Sequence, residues 1–162
     1  MRKSGVIIFD GDDTLWWSEE LYDHARANAR EIVEQAGIDG NLWDSLQRKT
    51  DLENVHLMGL SPARFPLSCK QAYEQIAREE GIDPHPIVAK QVHRAARLVF
   101  EKKAEVVPNA RHVLSSLKDS YVLILLTKGD RQVQEKRIDD SALRDCFHEV
   151  SVVNFKKSEY IS

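Results

Sequence analysis

The chain has 162 residues, 42% of them hydrophobic and 30% charged, with a formal net charge of −3, which fits an ordinary globular domain or a modest core with one inserted subdomain. That balance excludes the basic field needed to grip a nucleic-acid backbone, and no apolar run approaches the length of a membrane span. Arg2 and Lys3 precede an apolar run too short for a secretory signal, and Cys69 and Cys146 share no metal or redox spacing, so reduced thiols and a cytoplasmic location are expected.

In chain order, Val6-Ile7-Ile8-Phe9 reads as a buried strand, because apolar β-branched and aromatic residues fit a pleated, covered surface. It runs straight into Asp10-Gly11-Asp12-Asp13-Thr14-Leu15. If extension continued, Asp10, Asp12 and Thr14 would share one face. Carboxylates this close repel unless a cation sits between them, which points to a catalytic site and not to a polar turn.

From Ser18 the rhythm becomes helical. Ser18 is the expected N-cap, with Glu19 and Glu20 in the first turn and Gly37 beyond the end. A second helix is expected from Leu42 to about Val55, and Pro66 is expected to hold Gly59 to Pro66 as a structured loop. The next helix begins near Cys69 and closes at Gly81, and Asp83-Pro84 opens another, with Pro84 in its first turn. About ninety residues thus read as helices without a strand. From Val106 the pattern changes. A short helix follows Pro108-Asn109, and Tyr121 to Leu126 is a continuous apolar run, as in a parallel strand covered on both faces. Asp130 is placed to cap a helix to about Ile138, and Val150 to Val153 is a third strand candidate. The order is an α/β pattern.

Ligands gather at the carboxyl ends of parallel strands. Here three strand ends deliver Asp10-Gly11-Asp12, Thr127-Lys128-Gly129 and Asn154-Phe155-Lys156-Lys157. A carboxylate that attacks phosphorus, a cation, and donors for the equatorial oxygens are what phosphoryl transfer needs.

These residues resemble the haloacid dehalogenase-like hydrolases, a superfamily mostly of phosphatases. Phe9-Asp10-Gly11-Asp12-Asp13-Thr14-Leu15-Trp16 is similar to its first motif, Asp-x-Asp-x-Thr, and Leu126-Thr127-Lys128-Gly129 to its second, with Lys128 where Asn is commoner. Lys156 matches the third-motif lysine, with Lys157 as the alternative. The resemblance implies that Asp10 is the nucleophile, Asp12 the general acid/base, and Thr127 the phosphoryl-holding hydroxyl. Gly11, Asp12, Thr127, Lys128, Gly129 and Lys156 would surround the phosphate. It implies Mg²⁺, held by the Asp10 carboxylate and the Asp12 backbone carbonyl, and a small-molecule phosphate ester as substrate. An acidic residue at position 12 favours phosphate chemistry over dehalogenation. The implied architecture is a Rossmann-like α/β core over residues 1–15 and 107–162, with an inserted α-helical cap over 16–106.

The family's fourth motif, an acidic pair completing the metal site, has no counterpart after Lys157, and neither do the last two strands. A fragment of a longer protein is therefore expected, with Val6 to Phe9 as an exposed edge open to self-association. The alternative to a working hydrolase is a domain that binds phosphorylated ligand or a partner without turnover. The six histidines share no ligand spacing and read as solvated or capping residues. Arg64 reads as a surface arginine, and Trp16 and Trp17 as hinge packing or lining of a cleft.

Overall fold

The computed structural model describes residues 3–154. The chain divides into two compact units, Met1–Glu19 with Lys103–Ser162, and Glu20–Lys102.

The first unit is built on a parallel three-stranded sheet, β1 (Val6–Phe9), β4 (Val122–Lys128) and β5 (Glu149–Val153), in the order β1-β4-β5. The register pairs Phe9 with Leu125 and Lys128 with Val153, so Asp10 follows directly on a strand that ends against β4. Central β4 carries the continuous apolar run and buries Leu123, Leu125, Leu126 and Thr127, as a strand paired on both sides should. It starts and ends later than the apolar run alone indicated, so Thr127 and Lys128 lie on the strand itself. The expectation of a buried β1 is corrected. Among the described residues β1 pairs only with β4, and Val6 and Ile8 are exposed. Two helices complete this unit, α5 (Ala110–Lys118) and α6 (Arg131–Ser141). Asp130 caps α6, its carboxylate accepting from the Gln132 and Val133 amides at 3.0 and 3.1 Å. Phe9 and Phe147 meet edge to face.

A second, two-stranded ribbon pairs β2 (Trp16–Trp17) antiparallel with β3 (Glu105–Val106). Two residues are too few for any periodicity to reveal, and sequence reading placed no strand there.

The second unit is helical: α1 (Glu19–Gln35), α2 (Gly40–Met58), α3 (Arg64–Glu79) and α4 (Pro86–Arg97), then a 3-10 turn at Leu98–Phe100. Its core is one continuous apolar cluster around Trp43, Cys69, Tyr73, Val92 and Val99, with many alanines that let helices approach closely. Tyr22 packs edge to face on both Phe65 and Phe100. The left-handed φ of Gly37 (85°) and Gly81 (73°) explains both glycines, since each ends a helix where a side chain would be strained.

Three helix starts differ from expectation, each for a physical reason. Ser18 does not cap α1 with its own oxygen. Its hydroxyl and amide both donate to Asp13, which also accepts from the Glu19 amide at 3.0 Å and is the capping carboxylate. Pro66 does not break a helix, because it is the third residue of α3. The first amide to make the helical i to i−4 bond there is Leu67, to the Ala63 carbonyl, so the missing proline N–H is one that a helix start leaves unused. Pro86, not Pro84, opens α4, behind His85, whose Nδ1 accepts from the Ile87 amide. His85 is thus a capping histidine as expected, and His148 Nδ1 accepts from the Leu123 amide.

Arg64 is committed to structure, donating to Asp51 and to the Gly59 carbonyl. Both cysteines are free and buried, and burial pushes the Cys69 thiol well above its usual range. Among the described residues no helix is long and apolar enough to cross a membrane.

Candidate active site

Beyond Phe9 the backbone stops extending. Leu15 N–H reaches back to the Gly11 carbonyl at 2.8 Å, Asp13 N–H donates to the Trp16 carbonyl at 2.8 Å, and Asp13 takes a left-handed φ of 54°. This turn ends strand alternation, so Thr14 does not continue a face with Asp10 and Asp12; it is exposed in the turn. Asp13 is spent on the helix cap. Burial pushes its carboxyl up, but the Glu19 amide, the Ser18 hydroxyl and amide, and the field of Arg137 hold it below the usual carboxylate value.

Asp10 lies exposed at the end of β1, its Oδ1 accepting from the Gly11 amide at 2.7 Å. Asp12 is anchored from three directions. Its Oδ1 accepts from Trp16 Nε1 at 2.8 Å and Arg137 Nη1 at 2.7 Å, and its Oδ2 from Gln134 Nε2 at 2.8 Å. Gln134 also ties in the neighbouring strand: its Oε1 accepts from the fully buried Thr127 hydroxyl at 3.2 Å. One amide side chain therefore bridges the ends of β1 and β4.

Gly11 is buried in this cluster. A Cβ there would come within 2.4 Å of the Trp16 ring and 3.0 Å of Thr127 Oγ1, so the residue is small because its neighbours leave no room. Gly129 is restricted likewise by the Gln134 amide, 2.7 Å from where its Cβ would lie. Lys128 is exposed at the end of β4. The structure thus brings Asp12, Gly11, Thr127 and Gly129 around Gln134, with Asp10 one residue from Gly11. Lys156 and Lys157 lie outside the described residues.

Sequence reading missed Gln134 and Arg137. Both lie on α6, whose buried residues are Gln134, Arg137, Ile138 and Ser141. That is the i, i+3, i+4, i+7 stripe by which a helix meets a core. Here three of its four positions are polar, a stripe that hydrophobic periodicity cannot detect. Trp16 was singled out, but not for its indole N–H. Its side chain is fully buried against Gly11 within the α/β unit.

Three protein donors occupy the Asp12 carboxylate except for a position on Oδ2, so its backbone carbonyl is the oxygen it would offer a cation. With the Asp10 carboxylate it would give two hard oxygen donors, which fits Mg²⁺, an ion that keeps several waters and takes few protein ligands. No group of three or more His, Cys, Asp or Glu side chains placed to hold a metal occurs among the described residues.

A parallel α/β sheet with acidic and hydroxyl side chains gathered at its strand ends defines a Rossmann-like hydrolase core. The chain belongs to the haloacid dehalogenase-like hydrolases, whose family model matches residues 5–158. It is similar to a haloacid dehalogenase-like family hydrolase from Xanthomonas campestris, with 28% identity and a TM-score of 0.80 over 98% of this chain and 66% of that one. A protein of Burkholderia xenovorans described as a haloacid dehalogenase-like hydrolase shares the fold at 17% identity, with a TM-score of 0.62 over 99% of this chain and 66% of its own. Among curated proteins, the glyceraldehyde 3-phosphate phosphatase of Methanopyrus kandleri is 26% identical over 152 residues, 91% of this chain and 60% of the relative. The chain thus spans about two thirds or less of the length of these relatives.

Proposed function

We propose that this protein hydrolyses a small phosphate monoester through a phosphorylated Asp10. The observation that carries the reading is the clustering of Asp10, Asp12 and Thr127 at adjacent strand ends. The phosphatase relative from Methanopyrus kandleri supports the same substrate class.

In the first step an Asp10 carboxylate oxygen forms a bond to phosphorus, and the bond from phosphorus to the ester oxygen breaks. The departing alkoxide takes a proton from Asp12. In the second step water attacks the aspartyl-phosphate, Asp12 takes the water proton, and inorganic phosphate leaves with Asp10 restored. A carboxylate offers about four lone-pair positions. Oδ1 of Asp12 already accepts two bonds and Oδ2 one, which makes Oδ2 the oxygen that carries the exchanged proton. The Thr127 hydroxyl, turned to Gln134 in the free protein, rotates to donate to a phosphoryl oxygen. Gly11, Lys128 and Gly129 line the phosphate, and Lys156 adds positive charge. When bound, Mg²⁺ would offset the phosphate's negative charge from the Asp10 carboxylate and the Asp12 carbonyl. The helical unit acts as the cap that selects substrate, and the protein works in the cytoplasm.

The test is turnover of p-nitrophenyl phosphate by the full chain. Asp10→Asn is expected to lose at least ~10³-fold in kcat with unchanged melting, since it removes the group that forms the covalent bond, and a chelator is expected to abolish activity. Full metal-dependent activity in Asp10→Asn overturns the nucleophile assignment. Metal-dependent binding of phosphate esters without hydrolysis assigns the chain instead to ligand binding without turnover.

A further inference from the structure

We infer that Arg137, with Gln134, is the positioning element that aims the Asp12 carboxylate at the leaving group. The inference rests on the phosphohydrolase reading and assigns to α6 a role beyond covering the sheet.

Three observations converge. First, Arg137 is a buried arginine, its side chain 7% exposed, in an ion pair of 2.7 Å with Asp12. Burying a guanidinium costs desolvation that ion pairing offsets incompletely, so the pair is weak evidence for stability alone. Second, the three donors to Asp12 come from two separate stretches of chain: Trp16 from the ribbon after the turn, and Gln134 and Arg137 from one face of α6. A carboxylate held by donors from different directions cannot rotate about its last torsion without breaking at least one bond. Third, Gln134 fixes Asp12 relative to Thr127, because its two amide atoms bond one to each. The acid/base group and the phosphoryl-holding hydroxyl are thereby set on a common frame before substrate arrives, and such preorganisation is worth much in a catalytic site.

Arg137 and Gln134 are buried and bonded to Asp12, so an effect exerted through Asp12 has a diagnostic form. An alkoxide leaves poorly without a proton, whereas p-nitrophenolate leaves without one. The ratio kcat/KM covers steps through departure of the leaving group and excludes hydrolysis of the aspartyl-phosphate. Misplacing Asp12 therefore lowers kcat/KM for alkyl phosphates far more than for p-nitrophenyl phosphate, whereas general damage to the fold lowers both alike.

The experiment measures kcat/KM for an alkyl phosphate and for p-nitrophenyl phosphate in the wild type, Arg137→Met, Arg137→Lys and Gln134→Leu. General acid catalysis contributes roughly 10²–10⁴-fold. Arg137→Met is expected to lose about 10²-fold on the alkyl ester and less than about tenfold on the aryl ester. Arg137→Lys, which keeps a donor and the charge, is expected to recover part of the alkyl activity. Gln134→Leu leaves the ion pair in place and is expected to show the same selectivity to a smaller degree; it carries the test if Arg137→Met does not fold. Equal losses on the two esters, or no loss on either, overturn the inference while leaving the hydrolase reading intact. A wild type inert toward both esters, or an Asp10→Asn variant with full activity, overturns that reading and the inference with it.

Discussion

Each unit buries a polar cluster, and the two clusters differ in what surrounds them. In the helical unit, Asn54 on α2 donates to the Ser68 hydroxyl and the Gln71 carbonyl oxygen on α3, at 2.9 and 2.8 Å, and Ser68 in turn donates to Asp51. Arg64 closes this network from the side by pairing with Asp51. These bonds run between two neighbouring helices, from buried Ser68 out to exposed Gln71, and fixing the register of α2 against α3 accounts for them. In the α/β unit the polar groups converge on a single carboxylate at a sheet end, beside a glycine with no space for a side chain. Buried polarity alone does not mark a site. What sets the second cluster apart is that its donors gather on one acidic group where strands end.

That contrast can be broken or sharpened by experiment. The largest stability effect is expected from Trp43→Ala, which empties a fully buried indole site and the bond from its Nε1 to the Cys69 carbonyl. A loss of about 3–5 kcal/mol in urea unfolding is expected, and a loss below about 1 kcal/mol would show that the helical cluster can collapse around the gap. Asn54→Ala should cost about 1–3 kcal/mol, because it leaves buried Ser68 without its donor. Its kcat on p-nitrophenyl phosphate should stay within twofold of wild type; a larger loss in kcat than in stability would mean that the α2–α3 network serves catalysis.

The smallest effect concerns His93. Partial burial first, then the fields of Lys70 and Arg97, hold its pKa below the usual 6.5. Folding therefore favours neutral His93. The helical unit keeps full stability above pH 6.5 and loses some as pH falls through 6.5 toward the lower folded value. His93→Gln should flatten the change in urea midpoint between pH 7.5 and 5.5, and an unchanged slope would assign that dependence to other groups.

The readily legible features were those with local physical causes. Asp10 to Leu15 broke an apolar strand with carboxylates, the continuous run in β4 required cover on both sides, and Asp130 stood where a cap was needed. Less legible features depended on contacts distant in sequence. Ser18 looks like a cap until Asp13, bent back by its own left-handed turn, takes the same amides. Pro66 looks like a breaker unless the helix is known to start two residues before it. Gln134 and Arg137 lie more than 120 residues from Asp12 in sequence, on a helix whose buried stripe is polar. A scan for apolar spacing sees α6 as a solvated helix, whereas a scan for helices that should face a sheet yet lack an apolar stripe would have singled it out.

The contact between Gly11 and Trp16 has a consequence for how this sequence can vary. A methyl group at position 11 collides with the same indole whose N–H holds Asp12. A smaller side chain at position 16 would make room for that methyl, but it would also release the carboxylate. Substitutions at the two positions are therefore epistatic: a change that one would permit is disallowed by what the other must do. The glycine inside the acidic motif and the tryptophan after it amount to a single inherited choice.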